Sequence, residues 1–500
     1  MTAAPEPLKS RSAIVIGAGF GGLALAIRLQ SAGIATTLVE ARDKPGGRAY
    51  VYQDQGYSFD AGPTVITDPA SLEELYALSG RRLRDYVELL PVAPFYRLCW
   101  EDGTQFDYAN DQEALDRQIH ARNPADVQGY RRFLAYSRAV FEEGYVKLGT
   151  VPFVSFRSMV QAGPQLARLQ AWRSVYGMVS RFIQDEKLRE AFSFHSLLVG
   201  GNPFATSSIY TLIHALEREG GVWFPRGGTG ALVQGLVRLF EDLGGRLRLN
   251  APVERIEVEG GRAGGVRLRG GELLRAGHVA SNADVVHTYE RLLGHVPRGV
   301  AKARQLKAKR FSMSLLVVHF GLSRPQPQLQ HHTVCFGSRY RGLIDDIFRG
   351  PLADDFSLYL HAPCVTDPTL APPGCSSHYV LAPVPHLGHA PLDWAVEGPR
   401  MRERIFDYLE ARYIPHLRRD LVTSRIFTPG DFRDELGAHL GSAFSLEPVL
   451  TQSAWFRPHN RDDVIPNLYI TGAGTHPGAG VPGVIGSAKA TARLMLEGAA

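Results

Sequence analysis

Cysteine is scarce in this chain of 500 residues, with Cys99, Cys335, Cys364 and Cys375 the only four. None sits in a CxxC pair or at a zinc-site spacing from a histidine. Neither a disulfide scaffold nor a structural zinc is therefore expected, no metal is assigned, and a reducing compartment is the default. Long apolar runs are also missing. No stretch of about 18 apolar residues offers a membrane-spanning helix, and residues 1–12, MTAAPEPLKSRS, hold no apolar core of a signal peptide. The expectation is a cytoplasmic protein that neither enters the secretory route nor crosses a membrane, although lying on a membrane surface stays open. A dominant charge is absent as well: 55 Lys and Arg stand against 50 Asp and Glu, scattered along the chain, which argues against a nucleic-acid partner. No tandem repeat or low-complexity linker appears.

The composition that remains is that of a folded chain, with 44% hydrophobic and 21% charged residues, Gly 52 and Pro 32. The length exceeds what one hydrophobic core serves, so two or three domains are expected, formed by a chain that leaves one and returns to it.

The opening AIVIGAGFGGLALAIRLQSAGIATTLVEA reads as a strand over 13–16, a glycine turn, a helix over 20–32 ended by Gly33, and a second strand over 36–40. Gly17, Gly19 and Gly22 make GxGxxG between strand and helix. The first glycine permits the tight turn, the second lets a pyrophosphate approach the backbone, and the third lets helix and strand pack closely. The helix start then offers N–H groups and a positive dipole end to phosphate. Glu40 closes the second strand, where a carboxylate accepts from ribose hydroxyls. Strand, turn, helix, strand and acid in this order point to a dinucleotide, whereas a GxGxxG alone occurs in many ordinary loops.

Gly46-Gly47-Arg48 follows Glu40 in the frame ExxxxxGGR, and Asp60-Ala61-Gly62-Pro63-Thr64 comes next. Near the end, NLYITGAGTHPGAGVPGVIGSAKATA (467–492) sets a strand, then Gly472-Ala473-Gly474, then Val481-Pro482-Gly483-Val484 at a helix start. A helix N-terminus stabilises negative charge placed before it. These segments, with EAFSFHSLLVGGNPFATSSIYTLIHALERE and GVWFPRGGTGALVQG between them, resemble the bacterial-type phytoene desaturases, the FAD-dependent carotenoid desaturases of the amine oxidase-like flavoprotein superfamily. The resemblance runs nearly the whole chain.

It implies an α/β architecture in which a Rossmann-like FAD-binding domain (1–85, 225–290 and 450–500) is interleaved with a substrate-binding and membrane-associating region (86–224 and 291–449) built on a mixed sheet with helices. It also implies that Arg48 faces the anionic part of FAD, that Gly62, Pro63 and Thr64 lie beside the isoalloxazine ring, that Val253 touches adenine, and that Gly472, Ala473, Gly483 and Val484 meet the flavin. The implied activity is dehydrogenation of the C40 hydrocarbon phytoene, through to lycopene. Two other readings share the fold: a carotenoid isomerase using reduced flavin, and a lipid-escort protein that is no enzyme. Intact glycines at 17, 19, 22, 46 and 47 argue against the escort.

A hydrocarbon substrate is recognised by shape and apolar burial. Phe192, Phe194, Leu197, Leu198, Phe204 and Tyr210 are candidates for the wall, plain core being the other reading. His195, His331, His332 and Glu217 are candidates to accept a proton, but no spacing selects among them, and the catalytic residues stay unassigned. No second strand–glycine turn–helix–strand unit suggests a nicotinamide domain, so oxygen or a quinone is the expected acceptor. Residues 151–184 carry Arg157, Arg168, Arg173 and Arg181 and no acid, while Leu166, Leu169, Trp172, Tyr176, Val179 and Ile183 recur three or four apart. That pattern predicts one face of an interfacial helix peripheral to a membrane, an ordinary core helix with solvated arginines being the other reading. Residues 246–284 read as a small antiparallel sheet.

Overall fold

The computed structural model describes residues 12–497 apart from residue 154, so the stretch 1–11, read above for a leader, lies outside the described residues. The apolar run after Ser12 forms the strand Ser12–Ile16 at the centre of a parallel five-stranded sheet. Its neighbours are Ala35–Val39 on one side and His278–Ser281 on the other, with Ile14 opposite both Thr37 and Val279. Arg246–Arg248 and Leu468–Ile470 complete the edges. The first helix, Phe20–Ser31, is buried at every position from Phe20 to Leu29. A helix apolar on all sides must be covered on all sides. Here the sheet, the helix Thr229–Asp242 and the closing helix Val481–Glu497 cover it.

A second, seven-stranded sheet runs in the order Leu421–Phe427, Ser314–Leu322, Ser376–Val384, Leu358–His361, His332–Phe336, Tyr96–Trp100, Gln105–Tyr108. It is mixed: Tyr96–Trp100 runs parallel to His332–Phe336, and the remaining pairs are antiparallel. Ser314–Leu322 is buried at each position, which suits its nearly unbroken apolar sequence LLVV and a sheet covered on both faces.

A hairpin of Val51–Asp54 and Tyr57–Asp60 ties the two sheets together. The Tyr57 hydroxyl donates to Leu322 O at 3.1 Å, on the second sheet. Asp60 accepts from Thr229 N at 3.0 Å, at the start of a helix that packs under the first sheet. Burial of the Asp60 carboxyl raises its pKa to about 6 against the opposing pull of those N–H bonds.

Two expectations need correction. Within 246–284 only Val253–Glu259, Arg262–Leu268 and Leu273–Arg275 form the antiparallel sheet, while the flanking strands enter the parallel one. The segment 151–184 is not one helix. Phe156–Arg168 is helical, Gln170 takes a positive φ of 54°, and a separate short helix starts at Val175 with Ser174 as its cap. Leu169, Tyr176, Val179 and Ile183 consequently turn into the core, and Trp172 is 62% exposed.

Candidate functional site

One cavity of about 720 Å³ connects the two halves. It begins at the turn after the first strand and ends among side chains of the seven-stranded sheet. At the first end the wall is backbone. Gly17 has a φ of 93°, in the region that favours glycine, and its N–H donates to Val39 O at 2.7 Å. The next N–H, of Ala18, donates to Glu40 Oε2 at 2.8 Å, and Arg42 N donates to Oε1 at 3.0 Å. The acid closing the second strand is thus fixed from both sides. Gly19 is the N-cap of the first helix without a capping side chain, which leaves first-turn N–H groups for an anion. Gly46 N donates to Ala18 O at 2.8 Å and folds the GGR loop over this turn.

Arg48 carries the strongest sign of a missing partner. Nη2 reaches Ser442 O at 3.4 Å, and Nε is buried without a partner in a residue that is half-buried overall. Burial lowers its pKa while Asp284 opposes that shift. A half-buried cation with a spare donor fits an anionic ligand. Together with the glycine turn and Glu40, this donor set fits a dinucleotide such as FAD.

Gly17, Gly19, Glu40, Gly46, Gly47, Arg48, Gly62, Pro63, Thr64, Val253, Ala473, Gly483 and Val484 all line the cavity. Gly22 and Gly472, expected with them, stand behind the wall. A Cβ on Gly22 would lie 1.9 Å from Gly17 O, and one on Gly472 2.4 Å from Asn282 Oδ1, so both are fixed by close packing, the first against backbone and the second against a side chain. Gly483 sits in the first turn of the closing helix, where a Cβ would lie 2.7 Å from Gly478 O.

The other end of the cavity is walled by side chains. Phe194, Leu197, Leu198 and Tyr210 line it as expected, joined by Leu315, Val317, Val334 and Phe336 from the second sheet. Phe192 and Phe204 do not. Phe192 packs against Tyr130 and Phe106 in the core, and Phe204 against Tyr176 and beneath the Arg341 guanidinium. Thr64 Oγ1 is bonded to the Tyr379 hydroxyl at 2.7 Å and to that of Tyr359 at 3.1 Å, which gives the wall its polar seam.

Of the four groups considered as proton acceptors, Glu217 lines the cavity, and His195, His331 and His332 do not. His331 and His332 gather with His361 into a buried cluster whose ring nitrogens lie within 4.8 Å of one another, close enough to share a metal ion. His331 bonds His361 at 3.1 Å and Thr366 Oγ1 at 2.6 Å, and burial pushes the His331 imidazole down to about 3. Neighbouring strands bring these residues together, so residue spacing alone did not signal the cluster.

The helix Phe156–Arg168 closes one side of the cavity with Met159 and Leu166. Its outer side presents Phe156 and Val160, 54% and 59% exposed, with Arg157 and Arg168 also in solvent. Phe156 stacks edge-on with Trp455 at 5.1 Å, beside the exposed Phe456. Among the described residues no helix is long and apolar enough to cross a membrane.

Comparison with known proteins accords with this geometry. Phytoene desaturase (lycopene-forming) of Pseudescherichia vulneris is 70% identical over 488 residues, 97% of this chain and 99% of that protein. The enzyme of the same name from Pantoea ananas is 70% identical over 484 residues, covering 97% and 98%. Among solved structures, cyclohexylamine oxidase from Brevibacterium oxydans has the same fold, with a TM-score of 0.63 at 20% identity over 97% of this chain and 99% of that one. The model of the flavin-containing amine oxidoreductases matches residues 20–496, from the first turn of the glycine-capped helix to the end of the closing helix, and the chain belongs to that family.

Proposed function

We propose that the protein is an FAD-dependent oxidoreductase that introduces double bonds into phytoene by successive dehydrogenations, through to lycopene. The observation that carries this reading is continuity: a cradle suited to a dinucleotide opens, within one cavity, onto a chamber walled mainly by hydrocarbon side chains. Relatives at 70% identity named phytoene desaturase (lycopene-forming) support the substrate assignment.

On this reading residues 1–85, 225–290 and 450–500 hold FAD, and 86–224 with 291–449 hold the polyene. Glu40 takes the ribose hydroxyls, the turn at Gly17, Gly19 and Gly46 takes the pyrophosphate with Arg48, and Val253 meets adenine. Gly62, Pro63, Thr64, Ala473, Gly483 and Val484 surround the flavin ring. Bound FAD supplies a two-electron acceptor for the hydrogen that leaves a saturated carbon. Phe194, Leu197, Leu198 and Tyr210 position the chain through burial, at about 25 cal/mol per Å² removed from water, and keep water away from the reacting bond. The start of the closing helix at Gly483 favours negative charge placed before it. The helix Phe156–Arg168 rests its outer Phe156 and Val160 on a membrane surface, from which a water-insoluble substrate enters. Oxygen or a quinone is the terminal acceptor.

Purified protein given FAD, phytoene in liposomes and a quinone should produce a coloured polyene whose absorption moves to longer wavelength as acceptor is consumed. Geometric isomers of an unchanged polyene, with no acceptor consumed, would overturn the dehydrogenase reading in favour of isomerisation.

A further inference from the structure

Dehydrogenation removes a proton as well as a hydride, and a cavity walled by hydrocarbon offers few places to put it. We infer that the Glu217 carboxylate, held between Tyr96 and His195, is the general base that takes this proton. The inference rests on the dehydrogenase reading above.

Glu217 sits near the end of the helix Leu212–Gly220, 0% exposed to solvent yet on the wall of the cavity. Its Oε1 accepts the Tyr96 hydroxyl at 2.7 Å. Its Oε2 has no hydrogen-bond partner, and His195 Nε2 stands 3.0 Å away at an angle unsuited to a hydrogen bond. Tyr96 therefore anchors one oxygen, and the other is left without a hydrogen bond beside His195. The remaining acids of the described wall belong to the nucleotide end and are engaged there. Glu40 holds two backbone N–H groups, Asp284 caps a helix through Oδ1 and keeps Oδ2 unpartnered beside the nucleotide turn, Glu435 pairs with Arg42 and Asp434 with Arg433.

Position agrees with the role. The end of the Glu217 helix abuts the Thr64–Thr67 loop so closely that a Cβ on Gly220 would lie 2.3 Å from Thr67 O. That loop reaches the cavity through Thr64, itself bonded to Tyr359 and Tyr379. A fully buried acid is costly to maintain, and such groups concentrate where proton chemistry is done.

The step balances as follows. Bound FAD would supply the two-electron acceptor for the hydride that leaves one carbon of the substrate with its electron pair. A proton leaves the neighbouring carbon for Glu217 Oε2, and the electron pair of that broken C–H bond becomes the second bond between the two carbons. An oxygen or quinone acceptor then takes both electrons and, in sum, both protons, so Glu217 returns to carboxylate in each cycle.

The test uses full-length protein loaded with FAD. Glu217→Gln keeps an acceptor for the Tyr96 hydroxyl but has no useful proton affinity, so FAD retention should match wild type while turnover of phytoene falls roughly 10²–10⁴-fold. Glu217→Asp should recover part of it. An independent readout is infrared difference spectroscopy of substrate-free protein, wild type against Glu217→Gln. It should show an ionised carboxylate at the pH of maximal turnover, and a protonated carboxyl there would overturn the proposal even if a variant folds poorly. Glu217→Gln turning over within threefold of wild type would overturn it alone. Wild-type protein that leaves phytoene unchanged would remove the dehydrogenase reading, and the base with it.

Discussion

The two ends of the cavity are made from different parts of the amino acid. At the nucleotide end the wall is mostly main chain, at Gly17, Gly19, Gly46 and Gly47, with Glu40 and Arg48 as the few decisive side chains. At the far end it is side chain throughout, with Phe194 and Leu197 from one short helical turn, Leu315 and Val317 from one strand, and Val334 and Phe336 from another. A charged ligand is met by N–H groups and glycines at fixed, local spacings, where one added methyl group is intolerable. A hydrocarbon is met by shape, which many combinations of apolar residues can supply.

This difference can be broken by mutation. The largest effect is expected at Gly19, where a Cβ would already lie 3.2 Å from Asn282 Nδ2 and the methyls of Gly19→Val would fill the space before the helix start. FAD content of the purified protein, read from flavin absorbance, should fall at least about tenfold, or ~1.4 kcal/mol in binding, while circular dichroism keeps the native pattern. Retention of FAD would show that this turn is not the cradle. An intermediate effect is expected at the far end. Leu198→Trp should leave FAD content unchanged, slow turnover severalfold and shift products toward fewer double bonds by chromatography. Loss of FAD in that variant would show that the two ends are not separable. The smallest effect belongs to the outer surface: Val160→Glu should change stability by no more than about 0.5 kcal/mol. It should nevertheless lower co-sedimentation with anionic liposomes, and salt should weaken the wild-type interaction by screening Arg157 and Arg168 over about 8 Å. Unchanged co-sedimentation at low salt would take this helix out of the membrane contact.

The same contrast explains what could be read from sequence. The first strand, glycine turn, helix and second strand lie within one residue of their expected places, because a local motif dictates all four. The substrate wall was only partly readable: Phe194 faces the cavity and Phe192 does not, because the α-helix carrying Phe192 gives way to a 3₁₀ turn at Phe194. In 151–184 the apolar spacing of three and four was real, but the turn at Gln170 and the cap at Ser174 split it, so its later members serve the core. Ser174 followed by Gly177 was the available sign. Glu217 had a sign of its own, as an acid placed four residues after Ile213 and next to Leu216 in the apolar stripe of its helix. Strand partners such as His332 and His361 depend on register across distant segments, which the order of residues does not reveal.

The fixation of Glu40 carries a consequence for choice among nucleotides. Both of its oxygens are already pinned by main-chain N–H groups, so the carboxylate can neither swing aside nor be replaced by a passing cation without dismantling the turn. A ribose with two free hydroxyls offers it donors. A ribose bearing a 2′-phosphate would bring a second anion against a first that cannot retreat, a repulsion strengthened by burial. With Glu40 at the ribose, as proposed, the phosphorylated members of the cellular dinucleotide pool would be turned away by charge, before any contact with the reactive ring is made.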